Sequence, residues 1–227
     1  MIEALLLSVG EPQLANCVES LESQTFPLDR IIHIQNVCPQ STAYNQGLAQ
    51  LKEDWFILMA GDIILDPDAV YEICREIKKD DLRLVFGYSF RIKDTFLNAA
   101  QGLGVFKTDI LQKNPLRDRL SNDRSLGVKL TRHGLYMKRV DAPILGTHFD
   151  QPTEFQVFNR FFIYGIKYNS HRIASISRKL GTLKRLTGNQ LYDLAIKAID
   201  FGREKRGYPG SHNIEFDRKM YEEFKKS

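Results

Sequence analysis

The sequence predicts an α/β fold with a mostly parallel, Rossmann-like sheet covered by helices, and three observations lead to this prediction. Short apolar runs of β type alternate with amphipathic helical patterns through the first hundred residues. This order is typical of parallel sheets, because a helix is the usual crossover between parallel strands. The composition, 43% hydrophobic and 26% charged, is that of an ordinary globular chain. No apolar run approaches the ~20 residues of a membrane span, so we expect no transmembrane segment.

The elements of the first half follow from local patterns. The run IEALLLSV is a strand that stops at Gly10, and residues 12–24 carry apolar side chains at helical spacing. A second strand, RIIHIQN, precedes a helix for which Ser41 is the expected N-cap. A third strand, WFILMA, leads to a helix with Asp66 as N-cap and Pro67 at its first position. The run LRLVFGYSFRI is a fourth strand.

The second half does not continue the alternation of strands and helices. Gly102 and Gly104 indicate a loop or turn before a short helix. A helix through RSLGVKLTR ends at Gly134, and the strand LYMKRVDAPI follows it. Thr153 is the expected N-cap of an aromatic-rich helix. Two further helical patterns and a short final helix complete the chain, so the second half predicts a helical C-terminal extension.

The two halves differ in charge. Residues 1–115 have a net charge of −6, whereas residues 116–227 have a net charge of +10. From Phe155 to Tyr192 there are seven Lys/Arg and no acidic residue. We predict two domains: residues 1–150 form the α/β domain, and residues 151–227 form a basic helical extension packed on it. A basic half suits a phosphate-rich partner, such as a nucleotide diphosphate, a nucleic acid or an anionic membrane surface; solvated helix faces are the alternative.

The number and spacing of the cysteines indicate whether the protein works in an oxidising or a reducing compartment. Cys17, Cys38 and Cys74 are odd in number and widely spaced. This spacing predicts neither a disulfide framework nor a metal-binding cluster. We therefore expect a reduced, cytoplasmic setting.

One carboxylate, Asp62, stands between two apolar segments in WFILMAGDIIL. Because an unpaired buried charge is costly, Asp62 needs a partner, either a metal ion or an ordinary salt bridge or helix cap. Ligands of parallel α/β sheets bind beyond the carboxyl ends of the strands. Here these ends carry Ser8 with Glu11, Asn36, and Gly61. Asp62 therefore lies where a ligand site is expected.

Five short sequence motifs follow one another in a fixed order along the predicted strands and helices. They are LLSVGEP with NCVESLESQTF, IIHIQN with AYNQGL, FILMAGDIILDPDAV, Asn122-Asp123 before RSLGVKLTRHG, and THF with His148. In this order they resemble the family 2 glycosyltransferases, which have the GT-A fold. The resemblance covers residues 3–150 and implies transfer of a sugar from a nucleotide-diphosphate sugar to an acceptor hydroxyl. Ala60 replaces the first Asp of the family's D-x-D motif, so an inactive relative that serves as a basic nucleic-acid- or membrane-binding module is an alternative.

The resemblance also implies a metal site and a catalytic base. Asp62 and His148 are expected to bind Mn²⁺ or Mg²⁺, which accept oxygen ligands; Mn²⁺ also accepts a histidine nitrogen. Asp123 is expected to be the general base for the acceptor hydroxyl. The alternatives are a loop histidine bonded to backbone for His148 and a helix N-cap for Asp123.

The donor site is expected along the same edge. The resemblance implies that Glu11 and Asn36 contact the base or ribose of the nucleotide sugar and that Asn45 orients the same loop. Ser8 and Gly61 complete the expected nucleotide-binding set. Lone polar residues at strand ends also satisfy backbone groups, which is the alternative for each of them.

The sequence does not identify the acceptor. A polyanion would suit the basic half, namely an anionic saccharide, a lipid-linked phosphate or DNA with modified bases, and that half also predicts peripheral membrane contact. Two other enzyme classes are disfavoured. A nucleotidyltransferase would have a Gly-rich, basic loop after the first strand, and a dinucleotide-binding enzyme would have G-x-G-x-x-G there; SVGEPQLAN has neither.

Overall fold

The chain divides into two compact units. The computed structural model describes residues 2–79, 84–119, 122–149, 151–205 and 212–226, and of residues 122–124 and 142 the backbone alone. One unit comprises Met1–Asp118 and Asn122–Asp150, and the other comprises Gln151–Ser227 with Arg119–Ser121. Within the described ranges, no helix has both the length and the apolar character needed to cross a membrane.

The described strands of the first unit form one seven-stranded sheet. They are β1 (Ile2–Ser8), β2 (Arg30–Gln35), β3 (Trp55–Ala60), β4 (Ile63–Leu65), β5 (Val85–Asp94), β6 (Ala99–Lys107) and β7 (Tyr136–His148). Their order is β2-β1-β3-β6-β5-β7-β4. β6 is antiparallel to β3 and β5, and β4 is antiparallel to β7, while the remaining pairs are parallel. Five of the seven strands therefore run in one direction, which confirms the predicted mostly parallel α/β sheet.

Helices cover both faces of this sheet. They are α1 (Leu14–Glu22), α2 (Gln40–Leu48), α3 (Ala69–Ile77), α4 (Thr108–Gln112) and α5 (Asn122–Arg132). Alternate residues of β1 point to opposite faces, so Leu6 packs with α1 and α3 and Leu5 packs with α2, α4 and α5. Because both faces are buried, the strand is apolar almost throughout, as its sequence shows.

The structure corrects three local predictions. Gly102 and Gly104 lie within β6, not in a loop or turn; a Cβ on Gly102 would lie 2.6 Å from Ser89 Oγ, so the glycine serves close strand packing. The helix expected to start at Asp66 instead has Asp68 as its N-cap, without a side-chain capping bond. Ser41, the expected N-cap of the second helix, lies within α2, which begins at Gln40 and has Pro39 as its N-cap.

The second unit is helical in its described residues, as predicted. It contains α6 (Glu154–Lys167), α7 (Ser170–Thr187), α8 (Leu191–Glu204) and α9 (Ile214–Phe224). Thr153 caps α6 through a capping box with Gln156, which confirms the predicted N-cap. The aromatic stripe of α6 is core, because Phe158, Phe161 and Phe162 are fully buried. That this unit packs on the first one stays a prediction.

Candidate active site at the carboxyl edge of the sheet

The ends of β1 and β3 bring Ser8 and Gly61 together. The two strands are parallel, with Leu7 opposite Ala60, and the Gly61 N–H donates to the Leu7 carbonyl at 3.1 Å. A Cβ built on Gly61 would lie 3.1 Å from the Ser8 Cβ. The predicted edge position of both residues is therefore what the strand register produces.

Glu11 folds over this contact. Its Oε2 accepts a hydrogen bond of 2.9 Å from the Val9 N–H, so the carboxylate braces the turn that follows β1. A Cβ on Gly61 would lie 2.7 Å from the same oxygen, closer than real Cβ contacts allow. A larger residue at position 61 would therefore have to displace the Glu11 carboxylate. The carboxylate fixes the backbone of the turn beside the predicted donor site.

Glu11 and Asp62 repel each other. Burial raises the pKa of the Glu11 carboxyl, and the negative charge of Asp62 raises it further, against hydrogen bonds from backbone amides that lower it. Two acidic groups held this close favour a positive charge near them. The electrostatics of this edge therefore suit a cation.

The short strand β4 brings His148 to Asp62. β4 pairs antiparallel with the end of β7, with Ile63 opposite His148, and the Phe149 N–H donates to the Asp62 carbonyl at 3.3 Å. His148 Nε2 then lies 3.4 Å from Asp62 Oδ1. The two side chains are 12% and 13% exposed, so both are largely buried but still reach solvent. The proximity of this predicted pair comes from a strand that the sequence pattern did not predict.

The backbone beside His148 is held in an unusual conformation. Phe149 has φ = 61°, a left-handed conformation that bulky residues rarely adopt. The Thr95 hydroxyl donates to the Phe149 carbonyl at 2.8 Å, and the Thr95 N–H donates to the His148 carbonyl at 3.1 Å. Phe96 packs edge-on against the Phe149 ring at 5.8 Å. Such strain persists where surrounding contacts over-determine it, and it concentrates at functional sites.

The Asp62–His148 pair fits a divalent cation as two of its ligands. Adjacent ligands of an octahedral Mg²⁺ or Mn²⁺ site, with bonds of about 2.1 Å, lie about 3 Å apart, close to the separation of these two atoms. His148 Nδ1 is buried and has no hydrogen-bond partner among the described residues, so the ring is not held there by an ordinary polar contact. No group of three or more His, Cys, Asp or Glu in the described ranges could hold a metal.

Asn36 lies in the turn after β2 and Asn45 lies within α2, and the two side chains have different surroundings. Asn36 follows β2 with φ = 57°, and its N–H donates to the Ser8 carbonyl at 2.8 Å, which joins the ends of β1 and β2. The Asn45 amide donates to the Leu116 carbonyl at 2.9 Å and accepts from the Leu116 N–H at 3.0 Å. Asn45 therefore orients the segment around Leu116. The side chain of Asp123 lies outside the described residues, although its backbone belongs to α5.

The comparisons concern the fold. No protein-family model matches the chain, and no curated protein matches it in sequence. A mannosyltransferase from Pyrobaculum calidifontis, solved with GDP-Man and Mn²⁺, superposes with a TM-score of 0.56 at 10% identity, over 88% of this chain and 73% of its own. Glucosyl-3-phosphoglycerate synthase from Mycobacterium tuberculosis has a TM-score of 0.51 at 12% identity, over 67% and 72%. S. aureus TarS has a TM-score of 0.50 at 11% identity, over 90% of this chain and 53% of its own. The chain has a GT-A fold.

The chain spans about half the length of TarS, and at these identities the likeness to all three proteins is one of fold. Within the GT-A fold, Ser8, Glu11, Gly61 and Asp62 gather at the carboxyl edge of the sheet, and β7 adds His148. The order and register of the strands place these residues close together, so their proximity does not require a bound ligand.

Two residues beside the candidate site were not predicted to contact it. His33 Nε2 lies 2.7 Å from Ser8 Oγ, and partial burial lowers the pKa of His33. Cys17 Sγ donates to the Ala60 carbonyl at 3.5 Å. Burial, followed by the charges of Asp62 and Glu11, raises the pKa of Cys17 to about 12, so its thiol stays protonated. His33 lies in the predicted strand RIIHIQN. Its contact with Ser8 could have been predicted only if the register between β1 and β2 were known.

Proposed function

We propose that the protein transfers a sugar from a nucleotide-diphosphate sugar to an acceptor hydroxyl, with a divalent cation. The observation that carries the proposal is the Asp62–His148 pair at the carboxyl edge of a GT-A fold, 3.4 Å between Nε2 and Oδ1. The complexes of two structural neighbours support it, since the mannosyltransferase holds GDP-Man and Mn²⁺ and the synthase holds Mn²⁺ and UDP.

Asp62 and His148 would hold Mn²⁺ or Mg²⁺. The bound cation would act as a Lewis acid on the diphosphate and stabilise its charge as it leaves. Asp62 contributes a carboxylate, and His148 contributes a neutral imidazole nitrogen, because only the neutral ring can coordinate. Ala60 supplies no ligand, so this site would use fewer protein ligands than a D-x-D motif with both acids.

The nucleotide would lie along the turn that follows β1. Ser8, Glu11, Asn36 and Gly61 border that position, and Asn45 fixes the neighbouring segment through Leu116. The missing Cβ of Gly61 makes room for the Glu11 carboxylate and for Ser8, so Gly61 would serve the donor site by shaping this turn. Glu11 would act mainly by holding the turn, since its carboxylate accepts the Val9 N–H.

Asp123 is the proposed base. The acceptor oxygen forms a bond to the anomeric carbon, the bond from that carbon to the diphosphate breaks, and the hydroxyl proton passes to the Asp123 carboxylate. A helix N-terminus lowers a carboxylate pKa and weakens it as a base, but a good leaving group needs only a modest one. Asp123→Asn should therefore lower turnover with little change in donor affinity.

The matched control for this variant is Asp109→Asn, which alters a first-turn acid of α4. If Asp123→Asn keeps the full rate and melts several degrees lower, Asp123 is a helix cap and not the base.

The acceptor and the cellular location are also proposals. The basic second unit suits an anionic acceptor, namely a saccharide, a lipid-linked phosphate or DNA with modified bases. The cytoplasmic location rests on cysteine usage alone. An inactive GT-A relative would bind the nucleotide without turning over the sugar donor.

The test is a nucleotide-diphosphate release assay across UDP-, GDP- and TDP-sugars with Mn²⁺. We expect release from one donor class that stops when the metal is chelated. Asp62→Asn should abolish it, while Asp66→Asn, the same change at an exposed carboxylate four residues further on, should not. Binding of nucleotide without release from any donor would contradict transfer and support the inactive relative.

A further inference from the structure

The helix α7, SHRIASISRKLGTLKRLT, has five Lys/Arg and no acidic residue. Its apolar side is occupied, because Ile173 and Leu180 are buried and α7 packs against α8. The cations Arg172, Arg178, Lys179 and Arg185 are exposed. Residues seven apart return to the same side of a helix, so Arg178 and Arg185 share one side, as do Arg172 and Lys179.

The stability of the helix accounts for only some of these charges. Lys184 pairs with Asp193 at 2.5 Å, and cations in the last turn suit the helix dipole. Arg172, in contrast, lies in the first turn, where the dipole favours acids. Arg178 and Arg185 have no carboxylate partner among the described residues, and α7 offers no acid at i±4 to either of them. Arg185, however, lies in the last turn, where a cation suits the dipole, and the Arg172 guanidinium lies 4.0 Å from the centre of the Tyr168 ring. Helix stability therefore leaves the exposed cation Arg178 without an explanation.

The side chains between the cations are short. Ala174, Ser175, Gly181 and Thr182 separate the basic residues, so the cations can approach a flat surface together. From Arg172 to Arg185 this face extends about 20 Å along the helix. Leu186, 77% exposed, follows Arg185 directly.

We propose that this face of α7, defined by Arg172, Arg178, Lys179, Arg185 and Leu186, binds an anionic lipid surface. Clustered cations attract anionic headgroups, and an exposed leucine beside them can enter the apolar part of the interface. A nucleic acid is the less favoured partner, because His171 is the one aromatic side chain that α7 offers for stacking on bases, and the face has no amide to read them. The proposal does not depend on sugar transfer.

The experiment is vesicle co-sedimentation at low salt, with neutral phosphatidylcholine vesicles and with vesicles that also contain phosphatidylserine. The wild type should bind the mixed vesicles only. The variant with Arg178→Gln, Lys179→Gln and Arg185→Gln should bind on the order of a hundredfold more weakly, since each cation near an anionic surface contributes several-fold. The matched control carries Arg75→Gln, Lys79→Gln and Lys113→Gln, which remove the same charge from exposed sites of the first unit.

Circular dichroism and thermal unfolding show whether each variant is folded. Should the α7 variant fail to fold, the single variant Leu186→Asn replaces it and should weaken binding several-fold. Equal binding by the α7 and control variants would overturn the proposal, as would binding to neutral vesicles. A wild type that shifts a DNA duplex but ignores vesicles would assign the face to nucleic acid. Displacement from vesicles by inorganic phosphate, beyond a chloride control of equal ionic strength, would assign it to free phosphate.

Discussion

The Thr95 hydroxyl donates a hydrogen bond of 2.8 Å to the carbonyl of Phe149, the residue that follows His148. The pair joins the segment after β5 to the segment after β7. Because Phe149 has a left-handed backbone, this bond and the packing of Phe96 hold a conformation that the chain would otherwise leave. The position of the His148 ring thus depends on Thr95.

Thr95→Val keeps the shape of the side chain and removes the hydroxyl. We expect a loss of about 1 kcal/mol in the free energy of unfolding, since one hydrogen bond is lost. Mn²⁺-dependent nucleotide affinity should fall several-fold, while metal-independent affinity should not change. Calorimetry with and without Mn²⁺ measures both. Thr25→Val, which removes a hydroxyl bonded to the Pro67 carbonyl, is the control and should leave metal dependence intact.

Glu11→Gln should stabilise the protein at pH 7. Burial and the neighbouring Asp62 raise the pKa of Glu11, so the folded state favours its protonated form. The favourable contribution of that form is complete below the ordinary pKa and is lost as the pH rises through the folded pKa. The gain in melting temperature should therefore be present at pH 7, shrink as the pH falls through the raised folded pKa, and be absent below the ordinary pKa of 4.5. A loss of stability at pH 7 would show that the bond to Val9 outweighs the repulsion.

Glu3→Gln should destabilise the protein. The Glu3 side chain is 2% exposed and accepts from the N–H groups of Lys52 and Glu53 at 2.7 and 2.9 Å, and it pairs with Arg30 at 2.6 Å. Burial would raise the pKa of Glu3, but these donors outweigh it and lower the pKa. We expect a cost of about 1–3 kcal/mol at pH 7 in urea unfolding, because Gln replaces a charged acceptor with a neutral one.

The pH dependence of this cost follows from the lowered pKa. The contribution of Glu3 is present above its ordinary pKa of 4.5 and disappears as the pH falls through the lower folded value, so the difference between variant and wild type should close there. Glu72→Gln is the control. It breaks a surface pair with Arg75 and should cost less than about 1 kcal/mol.

Local periodicity predicted much of the fold, and it was wrong where pairing or capping decided the structure. The strands β1, β2 and β3 are apolar runs between clear stops, and the helix α6 has its capping box in the sequence. β6 contains two glycines and therefore resembled a turn, but its pairing with β3 and β5 makes it a central strand. The start of α3 was misassigned because Asp66 and Asp68 are both good N-caps in sequence.

The sequence named several residues that the structure brings to one edge of the sheet, but it did not give their geometry. Asp62 was singled out from its apolar surroundings, and His148 followed only from the resemblance. What joins them is the pairing of β4 with β7, a long-range register that no local pattern encodes. The contact of Ser8 with His33 was not predicted for the same reason, since it depends on how β1 aligns with β2.

The measurement that tests the central claim most directly is calorimetry of UDP and GDP binding with and without Mn²⁺, for the wild type, Asp62→Asn and Asp66→Asn. The Asp62–His148 site predicts that Mn²⁺ strengthens binding of one nucleotide to the wild type at least tenfold. Asp62→Asn should lose that gain and keep the weak metal-independent binding, and Asp66→Asn should match the wild type. Equal nucleotide affinity in Asp62→Asn and wild type, with Mn²⁺ present, would contradict the metal site.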